Sequence, residues 1–123
     1  MKIRIKGNTI RFRLTKSEVQ RLCSTGHIED KTEFLNQDFV YAVELSKEHD
    51  TQSVSFHDNK IICYLPYNIG HDWYNTNEVG FENVQKLTKN KTLFILVEKD
   101  FTCLDNRLED QSDNYPNPKS TEA

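Results

Sequence analysis

The sequence predicts a mainly β (α+β) protein, an antiparallel barrel or sandwich of roughly eight strands with two short helices. Apolar and polar residues alternate in short runs along the first hundred positions, which is the period of half-buried strands. Gly, Asn and Asp separate these runs at short intervals, as in sheets built from hairpins. Only two segments carry helix signals, so the regular strand–helix alternation of a parallel α/β fold is absent.

The first two runs, residues 1–6 and 9–14, flank the loop Gly7-Asn8. A two-residue loop with glycine first is typical of a tight hairpin. Pairing the residues next to the loop places isoleucines opposite Ile10 and Phe12 on one face. The other face collects like charges: Lys2 opposite Arg13, and Arg4 opposite Arg11. Because like charges directly across a ladder are destabilising, we expect an acidic group of the protein or of a ligand over this face.

The spacing of apolar residues changes after Leu14 from the period of a strand to that of a helix, which marks the first helix. Thr15-Lys-Ser-Glu18 is a capping box, in which the Thr side chain and the Glu side chain each accept from the other residue's amide. Val19 and Leu22 supply an apolar face and Gly26 a C-terminal stop. These signals predict a helix over about residues 16–24.

The remaining elements follow from alternation and turn residues. Pro66 suits the first turn of a short helix that extends to about Tyr74, although Gly70 weakens it. The run 92–97 is the most apolar in the chain and is expected centrally in a sheet. The other predicted strands cover residues 28–34, 38–45, 53–56, 60–65, 79–87 and 91–99.

The two ends of the chain carry opposite charge. Residues 1–22 hold seven basic side chains and one acidic, a net charge of +6, whereas residues 100–123 hold six acidic and two basic, a net charge of −4. After about Asp105 the chain is also rich in Pro and Asn, which is typical of a loop or tail. We therefore assign residues 1–104 to a single antiparallel β-rich domain. Residues 105–123 form an acidic tail that could dock on that domain.

Composition narrows the function classes. The 123-residue chain has a net charge of −3, a sequence pI of 5.8 and a mean hydropathy of −0.74, so nothing attracts the whole chain to nucleic acid or anionic lipid. No segment resembles a signal peptide or a membrane span. Three widely spaced cysteines form no disulfide framework. We expect a cytoplasmic protein with no membrane partner. A nucleic-acid partner is not expected either, since the only aromatic residue of the hairpin, Phe12, faces the apolar side and could not stack on bases.

The cationic hairpin is the first candidate site. Paired arginines suit bidentate contacts to carboxylate or phosphate, which indicates an anionic small molecule or an acidic protein segment as partner. A solvated face is the alternative, as is neutralisation by the tail or by internal acids, for which the sequence offers Glu33, Glu44 and Glu98. The predicted anion-binding residues are Lys2, Arg4, Arg11 and Arg13.

An aromatic segment is the second candidate site. Tyr67, Trp73 and Tyr74 lie near several asparagines and could line a pocket or a partner surface. Alternatively the segment plugs one end of a barrel, with Trp73 in the core. The sequence shows no catalytic constellation, no metal-ligand spacing and no cofactor motif. Acidic neighbours of Cys103 would raise the pKa of its thiol, which argues against a nucleophile.

These observations favour a small non-catalytic binding or interaction domain with a basic hairpin face. An enzyme acting on a phosphorylated or anionic small molecule inside a closed β-barrel is the alternative, and it requires carboxylates that converge on the arginines. A third possibility is an accessory protein in which hairpin and tail only neutralise each other.

Several stretches resemble a family of small bacterial proteins of unknown function. They are Met1-Lys-Ile-Arg-Ile-Lys-Gly-Asn8, Leu14-Thr-Lys-Ser-Glu-Val19, Val79-Gly-Phe81, Leu96-Val-Glu-Lys-Asp-Phe101 and Cys103-Leu104 through Glu109-Asp110 to Asn117-Pro118. The resemblance covers almost the whole chain and implies one domain to which the tail belongs. It implies no activity, cofactor or catalytic residue.

Overall fold

The computed structural model describes residues 1–101 of the chain. Their helices are α1 (Lys16–Thr25), α2 (Tyr67–Gly70) and a 3-10 helix (Trp73–Asn75). Their strands are β1 (Lys2–Lys6), β2 (Thr9–Leu14), β3 (His27–Glu33), β4 (Asp38–Ser46), β5 (Ser53–His57), β6 (Lys60–Pro66), β7 (Gly80–Lys86) and β8 (Thr92–Lys99). The predicted mainly β content is confirmed. The acidic tail and Cys103 lie outside the described residues, so the domain boundary stays a prediction.

The strands form two four-stranded sheets, β1-β2-β8-β7 (sheet A) and β3-β4-β6-β5 (sheet B). Each sheet joins two antiparallel hairpins whose inner strands run parallel, β2 with β8 and β4 with β6. The prediction of a wholly antiparallel architecture is therefore wrong at the centre of both sheets. The described strands also form two separate sheets rather than one closed barrel. Turn residues reveal each hairpin because its strands are neighbours in sequence, but no local signal says which hairpins lie side by side.

The first hairpin has the predicted register. Lys6 pairs with Thr9, Arg4 with Arg11 and Lys2 with Arg13. Gly7 has a φ of +54°, a conformation that glycine adopts without the steric penalty of a Cβ. The turn chemistry therefore fixes the register, and the register sends every cation of the hairpin to one face.

Helix α1 begins and ends at its predicted signals. The Glu18 amide donates to Thr15 Oγ1, and the Thr15 amide donates to Glu18 Oε1 at 2.8 Å, which completes the capping box. Gly26 terminates the helix with a φ of 82°. Val19 and Leu22 are buried and face the core.

The helix predicted from Pro66 to about Tyr74 is interrupted. Only one turn, α2, follows Pro66, and the 3-10 helix comes after a two-residue break. A Cβ on Gly70 would lie 2.6 Å from a Leu45 methyl carbon and 2.8 Å from a Leu65 methyl carbon. Glycine therefore lets the backbone pack against β4 and β6 at this point.

One apolar core draws on both sheets. Ile10, Phe12 and Val97 come from sheet A, and Val43 and Cys63 come from sheet B. β8 lies between β2 and β7, as the apolar run 92–97 predicted. Within residues 1–101, no helix is both long and apolar enough to cross a membrane.

Candidate anion-binding site

The outer face of the first hairpin carries five cations, and we call it the basic face. Ile10, Phe12 and Leu14 of β2 point into the core and are at most 4% exposed. Because successive strand residues point to opposite faces, the residues between them point outward. The members of the basic face are Lys2, Arg4, Lys6, Arg11 and Arg13.

One half of the basic face is neutralised by the protein, and we call it the closed half. Lys2 Nζ lies 3.1 Å from a carboxylate oxygen of Asp100, and Arg13 Nε lies 3.6 Å from Glu98 Oε2. Both acids come from β8 or the residue after it, which the parallel β2–β8 pairing places beside Arg13. Glu98 Oε2 is buried and has no hydrogen-bond partner among residues 1–101, so Arg13 is its nearby counter-charge.

The described residues place no such acid on the other half, which we call the open half. Arg4 and Arg11 oppose each other across the ladder. Within residues 1–101, no carboxylate lies at ion-pair distance from Arg4, Arg11 or Lys6. These three side chains and Thr9 line a cleft of about 150 Å³. Guanidinium groups side by side can each form two hydrogen bonds to a phosphate or carboxylate.

The amino group of Met1, which precedes β1 next to the closed half, is a further cation that the protein neutralises. The Met1 ammonium donates to Glu18 at 2.5 Å and to Asp30 at 2.9 Å. Burial alone would lower the pKa of this amine, but the hydrogen bonds to the two carboxylates outweigh it and the pKa is raised. Burial alone would likewise raise the pKa of Glu18, but its hydrogen bonds from Met1 and Thr15 leave that pKa lowered.

Two of the internal acids named from the sequence do not reach the arginines. The Glu44 carboxylate accepts a hydrogen bond from His27 Nδ1 at 2.9 Å, and a Glu33 carboxylate oxygen lies 3.6 Å from Lys31 Nζ. Both belong to sheet B. Glu98 is thus the one acid of the three that the structure brings to the basic face.

An apolar column lies beside the open half, and sequence reasoning missed it. Leu96 is the neighbour of Arg11, and Phe94 is the neighbour of Thr9. Both are half-buried and lie on the side of β8 away from the core, because Ile95 and Val97 point inward with 0% exposure. Because residues 93–97 are all apolar, the sequence did not reveal that alternate side chains of this run lie on the side away from the core.

The aromatic segment does not form one surface. Trp73 is 0% exposed, meets the Phe81 ring edge-on at 5.1 Å and donates from Nε1 to the Glu78 carbonyl at 2.8 Å. Tyr67 lies under Lys47 Nζ. Tyr74 instead lines a separate cavity of about 280 Å³. Trp73 therefore acts as a core residue, and the two tyrosines face different surroundings.

The thiols and metal-ligating side chains show no reactive arrangement in the described residues. Burial raises the pKa of the Cys63 thiol to about 12, so this sulfur is not a thiolate at neutral pH. The Cys23 sulfur donates to the Gly70 carbonyl and accepts from the Tyr74 amide. Among residues 1–101, no group of three or more His, Cys, Asp or Glu side chains could hold a metal ion.

Comparisons with known proteins give one match. A family model described as a family of unknown function (DUF7009) matches residues 1–119. No curated protein and no solved structure matches the chain.

Proposed function

The chain belongs to this family of unknown function, and we propose that it is a small non-catalytic binding domain whose open half holds an oxyanion. Arg4 and Arg11 are the main ligand contacts in this proposal. Lys6 and Thr9 complete the cleft around them.

The contrast between the two halves is the observation that carries the proposal. Each half presents two cations directly opposite each other, an arrangement that destabilises a sheet unless counter-charge is near. The closed half obtains its counter-charge from Glu98 and Asp100. The described part of the chain leaves the open half without one, so a bound anion would relieve the repulsion and gain charge-assisted hydrogen bonds.

The ligand class follows from the cleft. Two guanidinium groups and an ammonium recognise a compact group with several oxygens and at least one negative charge. Phosphate groups and paired carboxylates share this chemistry. The small cleft volume favours one such group carried by a small molecule or by a side chain of a partner.

The alternative function, catalysis inside a closed barrel, has less support. It requires an enclosed lumen and carboxylates that converge on the arginines. The described strands instead form two separate sheets, and the cleft opens on the outer face of sheet A. Glu33 and Glu44 lie on sheet B. A cytoplasmic setting stays an expectation from the cysteine pattern.

Calorimetric titration at low salt tests the proposal, with inorganic pyrophosphate and citrate as probes of the two oxyanion classes. We expect the double variant Arg4→Gln/Arg11→Gln to lose about tenfold or more in affinity, because a hydrogen bond to a charged group contributes about 1.5–3 kcal/mol and 1.4 kcal/mol is tenfold. Lys2→Gln/Arg13→Gln is the matched control, since it removes the same net charge from the same two strands.

Equal losses in the two double variants would contradict the proposal, because they would show that only net charge matters. Absence of binding to the wild-type protein by both probes would also contradict it. Preference for one probe would identify phosphate or carboxylate as the ligand chemistry.

A further inference from the structure

The surface around the open half combines two chemistries. Across sheet A one row runs Arg4, Arg11, Leu96 and Glu82, and the next runs Lys6, Thr9, Phe94 and Val84. Arg11 therefore lies directly beside Leu96, and the apolar surface continues through Phe94 to Val84, which is 55% exposed. An occupant that satisfies this surface needs carboxylates and apolar side chains close together in its own sequence.

The acidic tail has that composition. Its Leu108 is followed at once by Glu109 and Asp110, and Tyr115 comes two residues after Asp113. Its five acidic and two basic residues give it a net charge of −3, opposite in sign to the hairpin. The matched family region extends to residue 119 and so includes these positions.

The last described residues lie near this surface. The Asp100 amide donates to the Leu14 carbonyl at 2.8 Å, while the Asp100 carboxylate contacts Lys2. The chain thus leaves sheet A at the closed half. Along β8, Leu96 beside Arg11 lies four residues from Asp100, roughly 13 Å away, and five residues of chain can span roughly 17 Å. A segment tethered so near its surface has a high effective concentration there.

We propose that the acidic tail is the resident occupant of this surface, with its carboxylates on Arg4 and Arg11 and its apolar side chains on Phe94 and Leu96. An external anion then binds only by displacing the tail. Competition between tail and anion depends on the proposed anion-binding function, whereas the contact between tail and hairpin can be measured without any added anion.

The test uses the full chain. A neutral-tail variant carries Asp105→Asn, Glu109→Gln, Asp110→Asn and Asp113→Asn. A control variant carries Glu48→Gln, Asp50→Asn, Asp58→Asn and Asp72→Asn, at exposed positions in loops and turns. Both change the net charge by the same amount, so general attraction of the probe cancels. Pyrophosphate affinity and the NMR resonances of the Arg4 and Arg11 Nε–H groups are measured for each.

We expect the neutral-tail variant to bind pyrophosphate roughly threefold or more tightly than the control, which corresponds to a tail that covers the site two-thirds of the time. We also expect the Arg4 and Arg11 Nε–H resonances to shift in that variant without added anion. Equal affinities together with unchanged resonances would overturn the tail contact, even if Arg4→Gln/Arg11→Gln still abolished binding.

Other outcomes separate the two proposals. Shifted arginine resonances in a protein that binds neither pyrophosphate nor citrate would overturn the anion-binding function and support the contact. A dimer in light scattering that only the neutral-tail substitutions dissociate would overturn the contact within one chain, because the occupant would then be a second copy.

Discussion

The closed and open halves of the basic face use the same residue types on the same two strands, yet the described chain neutralises only one of them. Glu98 lies near Arg13 and Asp100 pairs with Lys2, because β8 runs parallel to β2 and ends beside these two cations. Two residues further along, the β8 position beside Arg11 is occupied by Leu96. Cations on one hairpin therefore differ in role according to what the neighbouring strand places next to them.

The largest expected effect concerns Glu18, the buried acid that binds the Met1 ammonium. Glu18→Gln keeps the capping hydrogen bond but removes the charge that holds the Met1 ammonium. We expect a loss of about 1.5 kcal/mol in the free energy of unfolding at neutral pH, measured by urea denaturation. Ser17→Ala, at an exposed position of the same helix turn, controls for changes in helix stability.

The same variant gives a pH dependence with a defined sign. Because the pKa of Glu18 is lowered in the folded protein, its charge stabilises the fold above the ordinary glutamate pKa, and this contribution is lost as the pH falls through the lowered value. The difference between wild type and Glu18→Gln should therefore shrink as the pH falls below the ordinary glutamate pKa of about 4.3. A difference that stays constant from neutral to acid pH would contradict the charge-based explanation.

The next effect separates the closed half from the open half. Arg13→Gln leaves the mostly buried Glu98 carboxylate without its cation, and we expect it to destabilise the protein by about 1 kcal/mol. Arg21→Gln, at an exposed position of α1, should change the stability much less. If the two variants had equal stability, Glu98 would not depend on Arg13.

The smallest effect has the opposite sign. In the neutral-tail variant, Arg11→Gln removes the like-charge contact with Arg4, and we expect it to stabilise the protein by roughly 0.2–1 kcal/mol at low salt. The gain should fade as salt screens the repulsion. In the wild-type chain the tail contact predicts a smaller gain or a loss of stability, because the tail then supplies the counter-charge of Arg11. An equal gain in the two backgrounds would contradict the tail contact.

The local features of this protein were predictable, and the pairing of distant segments was not. Alternation and the Gly7-Asn8 loop determine the register of the hairpin, and Thr15 with Glu18 determines the start of α1, because these signals act over a few residues. The Arg13–Glu98 contact joins residues far apart in sequence and depends on which hairpins lie side by side. For the same reason Glu33 and Glu44 were equally plausible counter-charges from the sequence, and the apolar column went unrecognised.

Residue-resolved titration of the arginines tests the central claim most directly. In wild-type protein at low salt, pyrophosphate is added while the Nε–H resonances of Arg4, Arg11, Arg13 and Arg21 are followed. The open half predicts saturable shifts of Arg4 and Arg11 with one common affinity, and much smaller shifts of Arg13 and Arg21. Equal, unsaturable shifts of all four arginines would contradict a specific anion site on this face.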